Sequence, residues 1–99
     1  MKLYVLIRKD LSTSQQAVQG GHAVAEYCRH YPNSDWGYRS LVYLAVENEY
    51  ELEDWLKIFK SNKDEFAQFN EPWWDNSLTA VAVLGTDSVK TLVKDLKLI

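Results

Sequence analysis

The run Lys2-Leu3-Tyr4-Val5-Leu6-Ile7-Arg8 decides the fold. Its apolar, β-branched and aromatic residues do not alternate with polar ones, the pattern of a strand buried on both faces and placed mid-sheet. Downstream, Ser12-Thr13-Ser14 offers capping hydroxyls. Ala17, Gly21, Val24, Ala25 and Cys28 then recur at helical spacing until Tyr31-Pro32 stops the run, which predicts a helix from about Ser14 to His30. Asn33 to Gly37 is turn chemistry, and Ser40 to Val46 reads as a second buried strand. Strand, helix and strand in that order are most simply a right-handed parallel crossover.

The remaining chain extends this pattern. Asn48 and Glu51 have capping-box spacing, and Leu52, Trp55, Leu56 and Phe59 form one stripe, predicting a helix that ends near Ser61-Asn62. Glu65 to Phe69 alternates as a short edge strand would, Asn70 to Asn76 reads as a loop, and Ser77 to Leu84 is another buried strand. Gly85 breaks that strand, Thr86 or Asp87 caps, and Val89, Leu92, Val93 and Leu96 mark a third amphipathic helix. The expected order is β-α-β-α-β-β-α: an α/β sandwich of two or three layers around a four-stranded mixed sheet, forming one domain over residues 1–99.

Composition narrows the function classes. With 99 residues, 46% hydrophobic and 25% charged, the chain can hold a single core that buries roughly two thirds of its unfolded surface. The net charge of −3 argues against nucleic-acid binding by bulk charge. The distribution is uneven, however. Residues 1–46 carry five cations against three anions (+2), residues 47–75 three against nine (−6), and residues 76–99 three against two (+1). A basic face built from the two ends would leave the acidic middle turned away. The single Cys28 cannot pair within the chain, so a reducing, cytoplasmic setting is expected. No apolar run approaches membrane-spanning length, so no membrane association is expected.

Candidate chemistry gathers on the first helix. Gly20-Gly21 lies mid-helix, where each glycine costs about 1 kcal/mol relative to Ala, so close packing on the sheet or room for a ligand must compensate. Gln19 and His22 share a face, and Glu26 follows one turn later where it could orient the imidazole; a lone helical histidine is nonetheless more often structural. His22, His30 and Cys28 lack the further ligands of a zinc site, so no metal is expected. Trp73-Trp74 offers one indole to stack on a base or meet a partner; the plainer reading has one cap the core and the other shield the sheet edge. The acids from Glu47 to Asp54 read as a solvated helix start with no chemistry assigned.

Three ordered patches carry a family resemblance: Val5-Leu6-Ile7-Arg8-Lys9-Asp10-Leu11, Ala17-Val18-Gln19-Gly20-Gly21-His22-Ala23, and Leu78-Thr79-Ala80-Val81-Ala82-Val83-Leu84-Gly85. Together they resemble the type II peptidyl-tRNA hydrolases over essentially the whole chain. The resemblance implies hydrolysis of the ester joining a peptide to tRNA, without metal or cofactor. It implies a site formed by Gln19, His22 and Thr79, positioned by Asp10 and Arg8; Lys9, Trp73, Trp74 and Asn76 are further expected substrate contacts. The chain departs from the family at two positions. Gln15 stands where the family carries a catalytic lysine; its amide can donate a hydrogen bond but supplies no charge. Counting back from Thr79 by the family's spacing reaches Ala67 instead of an acid, leaving Glu65, Glu71 and Asp75 as candidates. These departures, with a short segment after Asp10, resemble a divergent branch. Two other readings stand beside a hydrolase: a non-catalytic domain of the same fold binding tRNA or a protein, and, ranked last, an unrelated ferredoxin-like interaction module. A homodimer through the edge strand near Glu65 is a further expectation, discouraged by Asp64 and Glu65.

Overall fold

The apolar run that opens the chain occupies an inner position of a four-stranded sheet. In the computed structural model, which describes residues 1–99, β1 (Lys2–Arg8) lies between β2 (Leu41–Val46), parallel to it, and β4 (Ser77–Gly85), antiparallel. β3 (Phe66–Glu71) pairs antiparallel with β4 at the edge, giving the order β2-β1-β4-β3. The helices are α1 (Thr13–His30), α2 (Glu49–Ser61) and α3 (Asp87–Leu92), so the element order is the one expected from sequence.

Two apolar clusters show that the sandwich has three layers. Leu3, Val5 and Ile7 of β1 pack with Ala23 and Tyr27 of α1. Tyr4 and Leu6 face the other way, against Leu52, Leu56 and Phe59 of α2 and Val89 of α3. Each fully buried side chain of this size contributes about 1.5–3 kcal/mol. No helix is long and apolar enough to cross a membrane.

Local signals fixed most helix starts. Ser12 Oγ accepts from Gln15 N at 3.3 Å, Asn48 Oδ1 from Glu51 N at 3.0 Å, and Thr86 Oγ1 from Val89 N at 3.2 Å. Glu51 returns the bond to the N–H of Glu47 at 2.8 Å, a capping box that reaches one residue beyond the cap.

Three sequence expectations need correction. The buried face of α1 is Gln19, Gly20, Ala23 and Tyr27, while Ala17, Gly21 and Ala25 face solvent. The difference arises because a buried glutamine and a glycine occupy core positions that an apolar stripe would fill. β3 continues through Asn70 and Glu71, and Pro72–Trp74 forms a short 3-10 helix, so the expected loop shrinks to Asp75-Asn76. Helix α3 ends at Leu92, which is half exposed, and Lys97 and Ile99 instead bond to the backbone of β2 along its outer edge.

Candidate functional site

Close approach of α1 to the sheet creates the site. Where β3 and β4 face α1 they present small side chains, Ala67, Ala80 and Ala82. A Cβ built on Gly20 would lie 2.7 Å from the ring of Tyr43 and 2.8 Å from Ile7 Cδ1. Close packing therefore accounts for Gly20, while a Cβ on Gly21 would meet nothing.

At this distance Gln19 reaches the sheet. Thr79 Oγ1 donates to Gln19 Oε1 at 2.7 Å, and Gln19 Nε2 donates to Glu71 Oε1 at 2.9 Å. Gln19 and Thr79 are fully buried and Glu71 nearly so. The three come from α1, β4 and β3, separated by more than fifty residues between Gln19 and either partner. Every atom of the Gln19 amide that faces the sheet is satisfied, which makes the network stabilising instead of costly.

A β-bulge aims Thr79. Leu78, Val81 and Val83 face α2, whereas Ala80, Ala82 and Leu84 face α1, so Thr79 and Ala80 are two successive residues on the α1 side. The pairing of β3 with β4 shifts at that point, from Phe69↔Ala80 to Asn70↔Leu78. Bulges re-aim a side chain in this way and are common beside functional sites.

Other candidates divide between the site and its frame. His22 is exposed and lies flat on Phe69 of β3, ring centroids 4.3 Å apart at 11°. Glu26 does not orient it: that carboxylate bonds Arg29 at 2.8 Å and lies 3.4 Å from His30 Nε2. Gln15 is half-buried, one turn before Gln19, and its side-chain amide has no partner in the chain. Trp73 is 88% exposed and Trp74 37%; neither joins the core, so the core-capping reading of the pair is set aside. Asn76 shares a left-handed turn with Asp75, donating its N–H to Glu71 O at 3.0 Å and accepting from Asn70 Nδ2 at 2.9 Å through its carbonyl. Its backbone thus closes the turn.

Arg8, Lys9 and Asp10 are committed elsewhere. The Arg8 guanidinium holds both carboxylate oxygens of Asp10, each at 2.9 Å, and its NH1 reaches Ser77 Oγ at 2.9 Å and Leu78 O at 3.2 Å. The hydrogen bond from Arg8 lowers the Asp10 carboxyl below its usual range, and the same bond raises the guanidinium further. Lys9 pairs with Glu47 at 2.9 Å. These residues frame the end of the sheet, with each of the two cations paired to a carboxylate of the chain.

The acidic middle segment also does not turn away as a unit, because Glu71 belongs to it and stands in the network. Sequence spacing had left Glu71 among three carboxylates. Continuing the alternation of Ala67 and Phe69 by one step would have placed it on the α1 face. The cavities lie elsewhere, one of about 400 Å³ beside Lys9, Glu51 and Lys97, the other of about 350 Å³ beside His30 and Glu65. The candidate site is therefore an open face, formed by the first half of α1 and the β3–β4 turn.

No family model and no curated protein matches the chain. Among solved structures, it is similar to a protein of unknown function from Agrobacterium tumefaciens, with a TM-score of 0.77 and 13% identity over 99% of this chain and 96% of that one. At that identity the likeness shows the fold alone.

Proposed function

We propose that the chain is a divergent peptidyl-tRNA hydrolase, acting in the cytoplasm on the ester between a peptide and the 3′ ribose of tRNA. One observation carries the reading: Gln19 and Thr79, paired on the resemblance, meet a carboxylate, Glu71, in one hydrogen-bonded chain beside the exposed His22. Because Gln19 and Thr79 are fully buried, they hold Glu71 and do not touch substrate.

In this scheme the Glu71 oxygen not held by Gln19 takes a proton from water as the water oxygen bonds to the ester carbon. The Gln15 amide donates to the carbonyl oxygen as it becomes an oxyanion. Collapse breaks the bond to the ribose 3′ oxygen, and His22 supplies the proton that this oxygen gains. Trp73 stacks on an unpaired base of the acceptor end.

The test is release of free tRNA from a model peptidyl-tRNA. Glu71→Gln preserves the bond to Gln19 but removes the base, so the rate should fall about 100-fold or more with thermal unfolding unchanged. Gln15→Lys should raise the rate. A second reading, a non-catalytic domain binding tRNA or a protein, is favoured by the neutral Gln15 and by the bare indole of Trp73. Wild-type protein that binds tRNA yet releases none would decide for it.

A further inference from the structure

The first turn of α2 reaches the bulge from the opposite face of the sheet. Past the pair Ile7↔Ala80 the register of β1 with β4 ends, so Leu78 has no strand partner on that side. Side chains continue the ladder in its place. Glu49 Oε2 accepts from Leu78 N at 2.8 Å and from Ser77 Oγ at 3.2 Å. Arg8 NH1 donates to Leu78 O at 3.2 Å and to the same Ser77 Oγ at 2.9 Å. Both backbone polar groups of Leu78, the residue immediately before Thr79, are thus held by charged side chains.

We propose that Glu49 is a positioning residue for the candidate site, acting through the bulge: by holding Leu78 and Ser77 it aims Thr79 at Gln19, and Gln19 in turn fixes Glu71. The activity part of this inference rests on the hydrolase reading; the geometric part does not. Glu49 lies in the α2 layer and the network in the α1 layer, so substrate on the α1 face does not meet it. A buried donor that loses its acceptor must move to find another, and here the movement would displace Thr79 first. The two bonds converge on one oxygen, so this role asks for reach before charge.

A pair of substitutions separates those properties. Glu49→Asp keeps the charge and favours the helix start but withdraws the acceptor from Leu78. Glu49→Gln keeps an acceptor oxygen at full reach without the charge. In NMR hydrogen exchange, the Gln19 side-chain amide should exchange at least tenfold faster in Glu49→Asp than in wild type, and within twofold of wild type in Glu49→Gln. In tRNA release, kcat should fall at least tenfold for Glu49→Asp with KM within twofold, and recover in Glu49→Gln. Glu53→Ala, exposed on the same helix, should change neither. Unchanged Gln19 exchange in Glu49→Asp, or damage by Glu49→Gln alone, would overturn the proposal. If wild-type protein releases no tRNA, the exchange arm still decides whether Glu49 sets the bulge, while the hydrolase reading fails separately.

Discussion

Gln19 is a polar residue in a core position, with its stability tied to two partners. Replacing it with Leu keeps the volume but leaves a Thr79 hydroxyl and a Glu71 carboxylate oxygen without their mutual link. An unsatisfied buried group costs about 1–3 kcal/mol. Gln19→Leu should therefore destabilise by about 2–4 kcal/mol and Thr79→Val by about 1–2 kcal/mol. Once Gln19 is gone, Thr79 Oγ1 keeps only its longer bond to Phe69 O, at 3.3 Å, so the double variant should fall short of the sum by about 1 kcal/mol. Urea unfolding of the four proteins measures this coupling. Strict additivity would mean that the bond between Gln19 and Thr79, at 2.7 Å, contributes nothing.

At the scale of elements, α1 approaches the sheet at Gly20 and turns its neighbour Gly21 to solvent. A methyl at Gly20 would collide with Tyr43 and Ile7, and overpacking typically costs about 1–3 kcal/mol, against about 1 kcal/mol gained in helix propensity. Gly20→Ala should thus lower stability by up to about 2 kcal/mol and weaken the Gln19 network by lifting the helix. Gly21→Ala meets open space and should raise stability by up to about 1 kcal/mol. Thermal melts showing the same sign for both would contradict the packing. The pair also shows how far the sequence could be read. Strands β1 and β4 were legible because long apolar runs have one physical solution, and three helix starts because Ser12, Asn48 and Thr86 advertise their caps; β2 was legible as a strand but not as the half-buried edge strand it is. The face of α1 was not, because it is built around Gln19 and Gly20, whose burial depends on alanines contributed by β3 and β4. Gln19 and His22 were singled out by their shared helix face and Thr79 by resemblance, whereas Glu49 looked like any acid at a helix start. Only the bulge, a three-dimensional irregularity, connects it to them.

On the whole-molecule scale, charge and shape constrain how a nucleic acid could dock. The end of the sheet that carries the candidate site gathers Arg8 and Lys9 with Asp10, Glu47, Glu49, Glu71 and Asp75, and both cations there are paired. Lysines without a partner are spread over α2, α3 and the chain ends, with α2 and α3 on the face opposite α1. An acceptor end laid on the α1 face would therefore neutralise few phosphate charges. Since the logarithm of affinity falls with the logarithm of salt by about 0.7–0.9 per phosphate contacted, the slope for tRNA should be shallower than about 2 between 50 and 200 mM salt. Stacking must supply what charge does not, and the indole of Trp73, 88% exposed, is the available platform. Stacking on one aromatic ring is worth about 1–3 kcal/mol, so Trp73→Ala should weaken binding about 5- to 150-fold, more than any single lysine replacement. Fluorescence anisotropy with labelled tRNA over that salt range tests both expectations. A slope of 4 or more, insensitive to Trp73→Ala, would move the contact to the lysines of α2 and α3 and detach it from the Gln19 network altogether.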